Sequence, residues 1–202
     1  MRRPAILTRF LRDESGSATV EAVITFPILA WVLLTTVVFF QAFHADSLNV
    51  KVTYTLGDIL SREDMPITPE YLDSMFALQG EMTGSGEPRT LRVTAVTFEA
   101  GAGGAAGRYR VVWSQVRGTL ASPHTDSTLA AIAATRLPVM SEGQVTVLTE
   151  TWLRHTPAFA GVGIAPLTFY EITATRPRVP QFCWNDSDNP TNWTDANTRC
   201  SL

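Results

Sequence analysis

DESGSATVEAVITFPILAWVLLTTVVFFQAF, residues 13–43, sets one carboxylate, Glu21, against a long apolar run. From Ala22 to Ala45 there is no Asp, Glu, Lys or Arg. As a helix, residues 22–43 would measure about 33 Å, against about 30 Å of bilayer hydrocarbon. The stretch predicts one membrane-spanning helix over about residues 22–43, with the lipid bilayer as its first partner.

The flanks orient it. Arg2, Arg3, Arg9 and Arg12 precede the run, opposed only by Asp13 and Glu14, while Asp46 and Lys51 follow it. Basic flanks stay cytoplasmic, so the C-terminal bulk is expected across the membrane. Residues 1–16 contribute +2 to a net charge of −3, which leaves the remainder at −5. An acidic remainder gives no reason to expect nucleic-acid binding. A secretory signal peptide has a shorter apolar core, about 7–15 residues, and small residues before its cut. The exit sequence FQAFHADS supplies no A-x-A, and Arg2-Arg3 stands without the rest of a twin-arginine context.

Glu21 has two readings. It sits at headgroup depth as an ordinary interfacial charge, or it meets a cation made by proteolysis. A cut after Gly16 would make Ser17 the first residue and Glu21 the fifth. The new α-amino group, with a pKa of about 8, would lie about one helical turn from that carboxylate, or face it from a neighbouring subunit. Such a pair is stronger in lipid than in water. Pro27 removes one helical hydrogen bond and predicts a local bend, although prolines are tolerated in spanning helices.

A short basic leader, Gly16, Glu21 five positions on and an uninterrupted apolar helix resemble the class III type IV prepilin signal. The fuller stretch FLRDESGSATVEAVITFPIL is similar to the TadE/TadF (TadE/TadG-like) pseudopilins of tight-adherence, or Flp, pilus systems. Flp-type signals often place an aromatic after the Glu, where this chain has Ala22. The resemblance is clearest over residues 9–63. It implies that residues 1–16 are a leader, Gly16 the cleaved position, Ser17 the new N-terminus and Glu21 the recognition and assembly carboxylate. It also implies the partners: a prepilin peptidase, the major Flp pilin, a sister pseudopilin and the inner-membrane pilus platform.

Beyond the span the helical pattern continues. Ala45, Leu48, Val52, Leu56 and Ile59 recur at spacings of three and four, which predicts one helix over about residues 17–63 whose second half lies on a folded head, residues 64–202. Gly57 weakens the last turns. In PITPEYLDSMFALQG, Thr68 is a cap, Pro69 suits the first helical position and Gly80 is the expected stop. Leu72, Met75, Phe76 and Gln79 share one face. TLRVTAVTFEA and RYRVVWSQVRG flank the glycine-rich 101–107 and predict a β-hairpin. No Gly-Lys-Ser/Thr follows those glycines, so they are not read as a phosphate loop. SPHTDSTLAAIAATRLP predicts a short helix, and GQVTVLTETWLRHT and PLTFYEITATRPR two more strands. Helices followed by an antiparallel sheet make an α+β fold, pilin-like by the resemblance.

The polar tail brackets residues 183–200 with Cys183 and Cys200. Two cysteines beyond an export segment favour one disulfide, which would stabilise the fold by about 3 kcal/mol. The loop is either a staple alone or a presented surface with Trp184 and Trp193 as contact residues. Its Asp and Asn residues lack the EF-hand glycine and distal Glu, so they are read as solvated. His44, His124 and His155 are too scattered for a zinc cluster. His124 and Asp126 among serines lack a nucleophile elbow and are read as a helix-capping loop. No enzyme, cofactor or metal is expected. The leading expectation is a structural pilus-assembly subunit. The alternative is an uncleaved single-span anchor carrying an exported domain that binds a ligand or catalyses a reaction.

Overall fold

The computed structural model describes residues 17–84, 86–101, 106–159, 165–179, 181–186 and 198–200. It divides into two compact units. One comprises the N-terminal helix as far as Ala42 together with Pro157–Ala165; the other comprises Phe43–Thr156 and the chain from Pro166 onward.

Helix α1 (Ser17–Arg62) is continuous through Pro27. In the first unit its apolar side chains face outward on nearly every side, with Phe26 74% and Phe40 71% exposed. Thr35 donates to the Trp31 carbonyl (2.8 Å) and Thr36 to the Val32 carbonyl (2.9 Å). The helix thus satisfies these two hydroxyls from its own backbone.

In the second unit the same helix turns to burying a stripe. Val52, Leu56 and Leu60 are fully buried, and Asn49, Thr53 and Gly57 run beside them. Leu60 rather than Ile59 closes the expected row, because the contact line follows the i, i+4 ridge. Helix α2 (Pro69–Thr83) follows. Thr68 caps it by accepting from the Tyr71 amide (3.2 Å), as the sequence suggested.

Gly80 does not end α2. The helix runs on to Thr83 and stops at Gly84, whose φ of 60° is the left-handed cap that glycine adopts without strain. Gly80 serves instead as a seat for the Arg89 guanidinium, which lies 2.5 Å from where a Cβ would stand. Arg89 also packs over the Phe76 ring at 4.6 Å.

Strands β1 (Arg89–Glu99) and β2 (Arg108–Gly118) form the predicted hairpin. Helix α3 (Asp126–Arg136), β3 (Val145–His155) and β4 (Leu167–Thr175) come next. The sheet is antiparallel in the order β2-β1-β3-β4. A short second ribbon pairs β5 (Cys183–Asn185) with β6 (Thr198–Cys200). The α+β class and the long apolar helix are therefore as expected.

Both sheet faces are covered. Leu91, Val93, Ala95, Trp113, Val145 and Val147 pack with the buried stripe of α1, with Leu72 of α2 and with Phe182 and Trp184. On the opposite face Val96, Leu148 and Ile172 meet Leu129 of α3. A bulge in β2 divides the two sets: Ala95 pairs with Trp113 but Val96 with Val111, leaving Val112 as the extra residue. Val111 and Trp113, two positions apart, therefore serve opposite cores.

The seam between α1 and the sheet is polar and close. Thr151 Oγ1 donates to Asn49 Oδ1 (2.9 Å) and also pairs with Thr53. At Gly57 a Cβ would stand 2.8 Å from the Thr173 methyl. That approach explains a glycine inside a helix: it costs about 1 kcal/mol of propensity and lets α1 reach β4.

Candidate functional site

Three regions bear on function: the amino end of α1, the disulfide ribbon and a buried ionic cluster in the sheet.

Gly16 lies outside the described residues. Ser17 is the first residue of α1, and Glu21 stands exposed in its second turn. Beyond Glu21 the helix is long and apolar enough to cross a membrane by length and composition.

Cys183 and Cys200 are joined by a disulfide, as expected, and they face each other across the β5–β6 ribbon. The Ile67 amide donates to the Cys183 carbonyl (2.8 Å) and the Ile67 carbonyl accepts from the Asn185 amide (2.9 Å), fastening β5 to the chain before α2. Trp184 corrects the reading of it as an exposed contact residue. It is buried, its ring centroid 5.7 Å from Trp113, because Trp113, Phe182 and Trp184 together plug one end of the main core. Trp193 lies outside the described residues.

The ionic cluster centres on Glu150 of β3, which is fully buried. Arg92 is its direct partner in the β1–β3 register and grips both carboxylate oxygens at 2.6 Å. Tyr170 OH donates to Oε1 (2.7 Å), and His124 Nε2 lies 3.1 Å from Oε2. The third Arg92 nitrogen donates to the Ser122 carbonyl (2.7 Å), and its guanidinium lies 4.8 Å from the Trp152 ring centroid. His124 is held in turn by Thr128 Oγ1 at 3.0 Å and by its own amide donating to Ser114 Oγ (2.8 Å). Thr125 then caps α3 with a capping box to Thr128.

Burial alone would raise the Glu150 carboxyl, but hydrogen bonds from His124 and Arg92, the Arg92 charge and the Tyr170 hydroxyl outweigh it and hold the group down at about 2. Burial, followed by the hydrogen bond to Glu150, raises the Tyr170 phenol. A carboxylate so placed stays charged at neutral pH, and every lone-pair direction has a donor. The arrangement ties β1, β3, β4 and the loop before α3 together. Among the described residues no group of three or more His, Cys, Asp or Glu is placed to hold a metal ion.

Sequence reasoning read His124 only as part of a capping loop and did not single out Arg92, Glu150 or Tyr170. A usable signal was present: Arg92 and Glu150 each interrupt a strand of Val, Leu and Thr, and opposite charges on neighbouring strands pair when both point inward. Compared with protein-family models, curated proteins and solved structures, the chain matches none.

Proposed function

We propose that this chain is a minor pilin or pseudopilin of the TadE/TadF-like kind, a structural subunit in the assembly of a tight-adherence pilus. Its role is packing, not catalysis. The apolar half of α1 is stored in the inner membrane with the N-terminus cytoplasmic and the head periplasmic, and it later bundles with the helices of a major Flp pilin and a sister pseudopilin at the membrane platform. A prepilin peptidase cuts after Gly16, and Glu21 then meets the new amino group of Ser17 or of a neighbour.

One combined observation carries this reading: a basic leader and Gly16–Glu21 spacing lead into a helix whose first half exposes its apolar side chains all round. A folded soluble domain has no use for such a surface, whereas a helix that passes from lipid into a bundle needs it. The test is the intact mass of the full chain after co-expression with a prepilin peptidase. The expected mass lacks residues 1–16. A chain that keeps its four leading arginines would leave only the alternative, an uncleaved anchor for an exported domain.

A further inference from the structure

In the second unit Arg62, Arg92, Arg108, Arg110, Arg117 and Arg199 each pair with a carboxylate. Arg176 and Arg178 do not. Both are exposed, and among the described residues neither guanidinium has a hydrogen-bond or ion-pair partner. They line one cleft of about 520 Å³, together with Gly143, Gln144, Val145, Pro177 and Val179.

The backbone that presents them is fixed at three points. Arg176 follows the end of β4, and the proline after it holds it to extended backbone. Pro177 is buried, with φ set by its ring. The Arg178 amide donates to the Ser61 carbonyl at the end of α1 (2.9 Å). The other lining segment is held as well. The Gly143 amide donates to the Phe98 carbonyl (3.0 Å), and its φ of 69° is left-handed backbone that glycine adopts freely. The Ser141 amide donates to Gln144 Oε1 (3.0 Å), which leaves Gln144 Nε2 as a donor. The polar side chains of the cleft are thus two cations and one amide donor, and no Asp or Glu lines it. That is a basic site on a chain of net charge −3. Cations and donors without a carboxylate among them select oxyanions, and the planar arginine fork matches a carboxylate.

We propose that this cleft binds an acidic peptide segment and takes two of its carboxylates with Arg176 and Arg178. Two features select a peptide over a single small anion. Residues two apart in extended chain have Cα atoms at most about 7 Å apart, which is also the spacing of alternate side chains on an extended ligand. A cleft of about 520 Å³ whose lining includes Val145, Pro177 and Val179 has room and apolar surface for a peptide's backbone and side chains, beyond what one ion fills. The site lies wholly within the second unit and does not depend on how the apolar half of α1 is used.

The test is a calorimetric titration of the full chain, in uncharged detergent micelles with the native disulfide intact, with the peptide acetyl-Gly-Glu-Val-Glu-Gly-amide. Its glutamine counterpart and inorganic phosphate are the comparison ligands. The expected result is binding of the acidic peptide and none of the glutamine peptide. Arg176→Gln and Arg178→Gln should each weaken binding about threefold to tenfold, the loss of one partly exposed charge pair, and the double variant should abolish it. Arg154→Gln removes an exposed arginine of the same unit outside the cleft and should change nothing. Absence of binding by the acidic peptide overturns the site. Equal weakening by Arg154→Gln means unspecific charge attraction and overturns it too. Phosphate that binds as tightly as the peptide, and is lost in the same two variants, makes the cleft a small-anion site and overturns the peptide assignment.

Discussion

The two units invert each other's chemistry. In one, phenylalanines such as Phe26 and Phe39 stand exposed on α1, and the threonine hydroxyls turn back onto that helix's own carbonyls. In the other, a glutamate is fully buried and its stabilising partners come from β1, from β4 and from the loop before α3. A side chain's polarity does not decide where it sits; the solvent on offer and the available partners do. α1 crosses from one regime to the other without a break, and the change is written in its side chains. Its exposed part is apolar around the circumference, whereas its buried part carries Val52, Leu56 and Leu60 along one line and Asn49 and Thr53 along the next.

The sharpest way to break the head's side of this comparison is to remove its buried acceptor. Glu150→Ala strands the Arg92 guanidinium and should cost about 3–5 kcal/mol, the range for breaking a buried pair. Chemical denaturation of the full chain in detergent micelles measures it; a loss below about 1 kcal/mol, the level of an exposed pair, would contradict the fastening role. The same carboxylate sets an acid limit. Its folded pKa lies near 2 against an ordinary 4.5, so its contribution is complete above pH 4.5 and is lost as the pH falls from 4.5 towards 2. Glu150→Gln should flatten stability across that window, and an unchanged slope would place the acid sensitivity elsewhere.

A smaller contrast lies within α1 itself. Leu56→Ala, in the buried stripe, should lose about 2–5 kcal/mol as transfer and cavity costs combine. Leu33→Ala, in the exposed half, should leave the head's stability within about 0.5 kcal/mol. Equal losses would mean that the outward-facing leucines belong to a protein core after all.

Much of this arrangement was readable from the residues. The long apolar helix announced itself through the absence of charge from Ala22 to Ala45, and the four strands of the main sheet through their runs between turns, whereas the short β5–β6 ribbon was not expected. The cap at Thr68 and the disulfide followed from local chemistry. What escaped notice depended on contacts between distant segments. Gly80 looked like a helix stop because the guanidinium that occupies its missing side chain comes from Arg89, across the turn. Leu60 displaced Ile59 because a hydrophobicity stripe does not register that Asn49 and Thr53 also face inward, against Thr151. One of the two readings of the polar tail offered Trp184 as a surface contact, since nothing near it in sequence reveals Trp113 as its neighbour. Arg92 and Glu150 are 58 positions apart, and strand order alone makes them a pair.

The most direct test of one helix serving two solvents is a nitroxide scan along α1 in lipid vesicles, comparing collision with oxygen, which concentrates in the bilayer, against a water-soluble nickel chelate. The expected result is high oxygen and low nickel accessibility at every position from 23 to about 37, with no helical period. From Leu48 to Leu60 both should rise and fall every three to four residues as the stripe turns into the head. Nickel access throughout the first half, or a helical period of protection there in single chains, would contradict it.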